Sequence, residues 1–172
     1  MFMAPVVRKT WSPRGNTPVL LQRTRSHKKV SAIAALCVSP EKERVRLYFR
    51  LLPDGNFNAS HVRDFLSQLN RQLKTPALIV WDRFLPHRAK KVHEFFGKKP
   101  DIHVRFFPPY APELNPVEYL WGWLKQKPLA NFTPDNLEEL ANNARRGSRC
   151  VQHKQNLLRA FVNHSPLSLC LK

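Results

Sequence analysis

The segment PPYAPELNPVEYLW, residues 108–121, constrains this chain more than any other. Prolines at 108, 109, 112 and 116 each fix φ near −65° and remove a backbone donor. Residues 108–115 therefore suit neither a helix interior nor a central strand. A helix becomes available at Asn115-Pro116, where Asn is a favoured N-cap and Pro a favoured first residue. Glu118 then falls in the first helical turn. A second segment, LIVWDRFLPHRAKKV at 78–92, is an apolar run that ends in Asp82. Two carboxylates 36 positions apart thus sit at the ends of two predicted elements.

The remaining pattern fills in around them. Val30 to Val38 and Arg44 to Leu52 are apolar and β-branched, with Ser39-Pro40-Glu41-Lys42 between them, so they read as an antiparallel pair. Ser60 reads as an N-cap, and Val62, Phe65, Leu66 and Leu69 share one helical face. Pro76 to Trp81 is a continuous apolar run of the kind found in strands buried on both faces. A short helix is predicted over 87–97, a strand over Ile102 to Phe107, and helices over about 116–126, 134–147 and 151–163, with ends good to about ±2–4 residues. Ser12-Pro13-Arg14-Gly15 marks a turn in an otherwise irregular start. The order is strand, strand, helix, strand, helix, strand, then helices. One further strand in front would give an RNase H-like order. The predicted class is α/β, a mixed sheet flanked by helices with its first strand missing. Residues 1–130 form that domain and 131–172 a helical C-terminal extension of it.

A chain of 172 residues with 42% hydrophobic content can bury one ordinary core. Its formal charge is +17, from 29 basic and 12 acidic residues. Such an imbalance favours a polyanionic partner, because each neutralised phosphate releases counterions. No acid precedes Glu41, while Arg8, Lys9, Arg14, Arg23, Arg25, Lys28 and Lys29 do; no acid follows Glu139. A further basic run starts at Arg83, directly after Asp82. Three widely spaced cysteines form no CxxC pair, which argues against a zinc ribbon or a disulfide framework and fits a cytoplasmic setting. The longest apolar stretch, Val30 to Val38, is too short to span a bilayer, so no membrane partner is expected.

Each acid has a structural reading beside a chemical one. Asp82 can cap the helix after it. Glu118 stands three positions after Asn115, the capping-box position, with Leu114 and Tyr119 placed as a hydrophobic staple. The chemical reading is that the two carboxylates converge from separate elements on a hard divalent cation, which takes oxygen ligands. Capping and ligation can coexist. Val117, Leu120, Trp121 and Leu124 read as the core face of their helix.

The ordered set of motifs resembles the DDE transposases of the Tc/mariner superfamily, in its bacterial insertion-sequence branch. In those proteins an apolar strand ends in Asp with a His soon after, as Asp82 and His87 do here. A Pro-Pro-Tyr-x-Pro-x-Leu-Asn-Pro-x-Glu-x-x-Trp segment follows, matched by Pro108, Pro109, Tyr110, Pro112, Leu114, Asn115, Pro116, Glu118 and Trp121. Lys125 matches a basic residue that commonly closes this helix. Upstream, Thr10-Trp11-Ser12-Pro13-Arg14-Gly15 resembles a further family segment, so the similarity covers roughly residues 4 to 125. Arg83 departs mildly from the Asn or Gly that relatives carry. The larger departure is the first catalytic Asp, which in the family ends a strand just ahead of the segment that here begins at Phe2.

The resemblance implies an endonuclease and strand-transfer chemistry on DNA. Asp82 and Glu118 are its second and third acids, ligands of Mg²⁺ or Mn²⁺ in a two-metal site that is incomplete here. Arg83, His87, Arg88, Lys90, Lys91 and Lys125 are the expected DNA contacts. Transposon ends and target DNA are the expected partners, with a homodimer or a full-length transposase as possible protein partners and the nucleoid as the place of action. Lacking one acid, the chain is expected to be inactive alone. The alternatives are a non-catalytic DNA-binding fragment, a resolvase-like nuclease, against which the proline loop argues, and a degenerate product with open sheet edges. Asp54, Asp64, Asp101, Asp135 and Glu113 offer no convincing replacement acid.

Overall fold

The computed structural model describes residues 1, 3–4, 6–21, 28–167 and 169–171. Arg23 and Arg25 of the basic N-terminal run lie outside the described residues. Residues 6–21 form an exposed arm. Its base is held by Asn131, whose backbone N–H donates to Val6 and whose side chain both accepts from and donates to the Arg8 backbone. The expected turn closes where the Asn16 N–H donates to Pro13 O at 3.0 Å, with Gly15 at φ +88°. That left-handed conformation is one glycine adopts without a Cβ penalty.

β1 (Val30–Val38) and β2 (Val45–Pro53) pair antiparallel, from Val30 opposite Pro53 to Val38 opposite Val45. The Ser39 hydroxyl accepts from the Glu43 and Arg44 amides and closes the turn. α1 (Ala59–Leu73) follows with Val62, Phe65, Leu66 and Leu69 buried, as their spacing predicts. Its cap is Asn58 rather than Ser60. Asn58 Oδ1 accepts from His61 N–H at 3.0 Å, and the Asn58 amide donates to His61 Nδ1 at 3.4 Å. The imidazole fills the place that Glu or Gln takes in the usual capping box, so the familiar sequence signature is absent.

β3 (Ala77–Trp81) and β4 (Ile102–Phe106) pair in parallel, a pairing that requires the helical crossover between them. That crossover is not the single helix predicted over 87–97. A 3-10 turn at Leu85–Arg88 is separated from α2 (Lys90–Gly97) by Ala89, whose ψ of 142° is extended. β3 also departs from two-faced burial. Ala77, Ile79 and Trp81 are half-buried, whereas Leu78 and Val80 are 62% and 40% exposed. An uninterrupted apolar run does not distinguish burial on one face from burial on two. Ile79 and Trp81 of β3 and Ile33 of β1 all pack on Val62, Leu66 and Val92. β1 and β3 thus share one helical layer, yet no ladder joins the two strand pairs among the described residues.

α3 (Pro116–Gln126) occupies the predicted range. α4 (Leu137–Gln152) starts later and runs further than expected, capped by Asn136 accepting from Glu139 N–H, which moves α5 to Gln155–His164. Leu120 and Leu124 of α3 are fully buried against Val45 and Leu47 of β2 and Val151, Leu158, Phe161 and Val162 of the last two helices. The outer edge of β2 is closed by side chains. Gln155 both accepts from the Val45 amide and donates to its carbonyl, and Gln152 donates to Leu47 O. An edge covered in this way no longer offers a template for pairing at those positions. Among the described residues no helix is long and apolar enough to cross a membrane.

Gly147 lies on the buried face of α4, where a Cβ would meet Pro128 Cγ at 2.8 Å and Leu124 Cδ2 at 3.0 Å. Ala gains about 1 kcal/mol over Gly in a helix interior. Overpacking costs about 1–3 kcal/mol, and the proline ring cannot rotate away. The clash should win: Gly147→Ala is expected to lower the urea midpoint with an unchanged slope. A midpoint equal to or above that of the parent would show that the α3–α4 contact is loose.

Candidate active site

Asp82 directly follows β3, at the carboxyl end of the parallel strand pair. Its Oδ1 accepts from the Phe84 amide at 3.0 Å, an Asx turn, and lies 2.9 Å from His87 Nδ1. The His87 ring stacks on Trp81 at 4.2 Å with planes 4° apart, and Phe84 meets it edge-on. The imidazole side chain is only 12% exposed, while that of Asp82 is 54% exposed. The hydrogen bond from His87 holds the Asp82 carboxyl below its ordinary pKa; partial burial opposes this, and the Phe84 amide adds to it. Both interactions fall on Oδ1. No hydrogen bond among the described residues uses the other oxygen.

Glu118 reaches the same region from α3. Asn115 caps the helix by accepting from the Val117 amide at 3.1 Å. The reciprocal half of the capping box is absent, because the Asn115 N–H donates to Pro112 O at 2.9 Å instead. The Glu118 carboxylate makes no hydrogen bond or ion pair among the described residues. Its pKa is raised, first by partial burial; Lys125 opposes the shift and the charge of Asp82 adds to it. The two acids line one cleft of about 420 Å³ together with Arg83, Phe107, Asn115 and the proline loop.

No other acid lines this cleft. Asp64 pairs with Arg63 at 2.7 Å. Among the described residues no group of three or more His, Cys, Asp or Glu is placed to hold a metal. Of the basic residues singled out by sequence, Arg83 lines the cleft and its Nε donates to Phe107 O at 3.4 Å. Lys91 donates to Ser60 at 2.8 Å, Arg88 and Lys90 are exposed, and Lys125 lies two turns along α3 from Glu118. His87 is turned inward between Trp81 and Asp82. Sequence reasoning missed that stack, which has no periodic signature. The Asx turn was within reach, since Asp commonly accepts from the amide two residues on.

The profile of one family, the DDE superfamily endonuclease, matches residues 3–141. The chain belongs to that family. No curated protein sequence matches it. Among solved structures, the Mos1 strand transfer complex superposes with a TM-score of 0.57 at 20% identity, over 96% of this chain and 52% of that one. The Mos1 mariner paired-end complex with Mn gives 0.56 at 20% identity, over 97% and 53%. The Mos1 paired-end complex with the left transposon end gives 0.58 at 19%, over 96% and 53%. The chain therefore spans about half the length of these relatives. At this identity the likeness is one of fold, and it agrees with the RNase H-like α/β class expected from the element order. In this family member the end of β3 and the helix that follows the Pro-rich loop bring Asp82 and Glu118 to one cleft.

The opposite shifts of the two carboxyls predict opposite linkage. Asp82 has a lowered folded pKa, so its stabilisation is present above the ordinary value of 3.8 and is lost as pH falls through the folded value. Glu118 has a raised folded pKa, so its charged form destabilises above that value, and the effect vanishes below the ordinary 4.5. Both side chains are well exposed, which keeps each effect below about 1 kcal/mol. Glu118→Gln is expected to raise Tm slightly at pH 7 and not at pH 3.5; Asp82→Asn is expected to lower it at pH 7. Paired thermal melts at the two pH values check both signs.

Proposed function

We propose that this chain is the catalytic-domain portion of a Tc/mariner-like DDE transposase of the insertion-sequence kind. The observation that carries the reading is the convergence of Asp82 and Glu118, from separate elements, on one cleft. The donor set fits a hard divalent cation, Mg²⁺ or Mn²⁺: oxygen ligands only, with one Asp82 oxygen and the whole Glu118 carboxylate free of hydrogen bonds among the described residues. When bound, such a cation neutralises charge at a phosphodiester oxygen and activates water. The chain's own residues supply the rest. His87 and the Phe84 amide hold Asp82 in place, and the buried face of α3 holds Glu118. Arg83, Arg88, Lys90, Lys91 and Lys125 give backbone contacts that attract DNA without reading its sequence. His87 acts through Asp82 rather than through phosphate. DNA association, and with it a place at the nucleoid, follows from the charge of +17.

Two carboxylates alone are a sparse set for two cations, and every acid of the sequence lies among the described residues. The third acid has to come from a strand seated elsewhere. The outer edge of β1 is met at Val30, where Met1 exchanges both backbone hydrogen bonds, and among the described residues β3 pairs with no strand other than β4. A strand laid between β1 and β3 is where that acid belongs. Residues 1–172 by themselves are then inactive. The same gap in the ligand set favours the second reading, a protein that binds DNA without cutting it.

Mn²⁺ binding followed by calorimetry is expected to be weak in the parent and abolished in both Asp82→Asn and Glu118→Gln. Unchanged binding in both variants would sink the metal site. Nicking of transposon-end DNA by this chain alone would overturn its incompleteness. Replacing Arg88, Lys90 and Lys91 by Ala is expected to flatten the log Kd against log salt slope by about 0.9 for each phosphate no longer neutralised. An unchanged slope would move the DNA path to another face.

A further inference from the structure

The acids form only part of the cleft's lining. Tyr110 also lines it, and its side chain is fully exposed. Its backbone has φ +58°, the left-handed region that is strained for a side chain of this size. Nothing local rewards that conformation, because the ring covers no core. The loop around it is stiff. Pro108 and Pro109 precede it and Pro112 follows, while the Phe107 amide donates to Trp81 O at 2.8 Å and ties the loop to β3. At the far end, the Ser165 hydroxyl donates to Leu114 O at 3.0 Å. A flat ring is thus presented to solvent on a fixed mount, in the lining of a cleft that two carboxylates share. Arg83 lines the same cleft, and Phe84 and Leu85, next in sequence, are 48% and 78% exposed.

We infer that Tyr110 is a nucleotide-stacking residue, so that the cleft takes a strand whose terminal base is unpaired rather than an intact duplex end. The inference rests on the DNA reading above and adds the form of the substrate. Aromatic rings beside cationic side chains are how proteins hold single strands, because every base has a π face and every nucleotide a phosphate. A protein partner would also cover an exposed ring. Charge favours nucleic acid: the chain carries +17, and Arg83, the first residue of a basic run, lines the cleft. Stacking also needs no metal, so the inference can be tested apart from the ligand set.

The test is anisotropy binding in EDTA, with a labelled blunt duplex and the same duplex bearing three unpaired 3′ nucleotides. A 2-aminopurine at the first unpaired position reports stacking by quenching. The parent is expected to prefer the frayed end. Tyr110→Ala is expected to weaken binding to that end by about 5- to 150-fold, the range found for loss of one base–aromatic stack, and to abolish the quench. Tyr110→Phe should keep both the preference and the quench, which separates the ring from the hydroxyl. Tyr110→Gly relieves the left-handed strain and should behave as Ala does in binding while raising Tm. Equal preference in parent and Tyr110→Ala overturns the stacking role and leaves DNA binding intact. Absence of binding to either duplex overturns the DNA reading and this inference with it.

Discussion

The packing of Leu120 and Leu124 beneath the β1–β2 pair is the interaction on which the site depends. Both are fully buried, against β2 on one side and the last two helices on the other. At 100° per residue, Glu118 lies about 200° from Leu120 around the helix axis. Burying the leucines therefore turns Glu118 away from the core. Its direction is a consequence of hydrophobic burial, and it needs no hydrogen bond of its own. The proline loop sets where the helix begins, the leucines set its rotation, and together they deliver the carboxylate to the cleft.

Asp82 is fixed by a different kind of force. Its direction comes from hydrogen bonds on a single oxygen, donated by the Phe84 amide and shared with His87. The imidazole is itself immobilised by stacking on Trp81. The turn uses one oxygen of this residue, and no hydrogen bond among the described residues uses the other. Around Glu118 the outcome is reversed, since the reciprocal half of the capping box is displaced by a backbone bond to Pro112. Each acid therefore keeps carboxylate oxygen uncommitted, by opposite local means.

Much of this was legible where the determinants are local. Asn115-Pro116 fixes the start of α3, and Val30 to Val38 was delimited by its own composition and the turn after it. The cap of α1 was misplaced because Asn58 and Ser60 are both competent, and the choice fell to an imidazole with no place in the usual motif. The one-faced burial of β3 was not legible at all. It depends on what covers Leu78 and Val80, a tertiary matter on which an apolar run is silent. Tyr110 carries no sequence mark of its left-handed backbone either; Asn or Gly would have signalled it, and a bulky aromatic does not.

The half-open sheet follows from the same accounting of backbone groups. β2 has its outer edge covered at Val45 and Leu47 by glutamine side chains. On the other side Met1 meets β1 at Val30, and among the described residues no ladder joins β1 to β3, although both rest on Val62, Leu66 and Val92. Burial of Ile33, Ile79 and Trp81 on one helical cluster holds the two strand pairs in place without a ladder between them among the described residues. The indole N–H of Trp81 is buried at the end of β3, beside Asp82, without a hydrogen-bond partner among the described residues. An unmet buried donor costs roughly 1–3 kcal/mol.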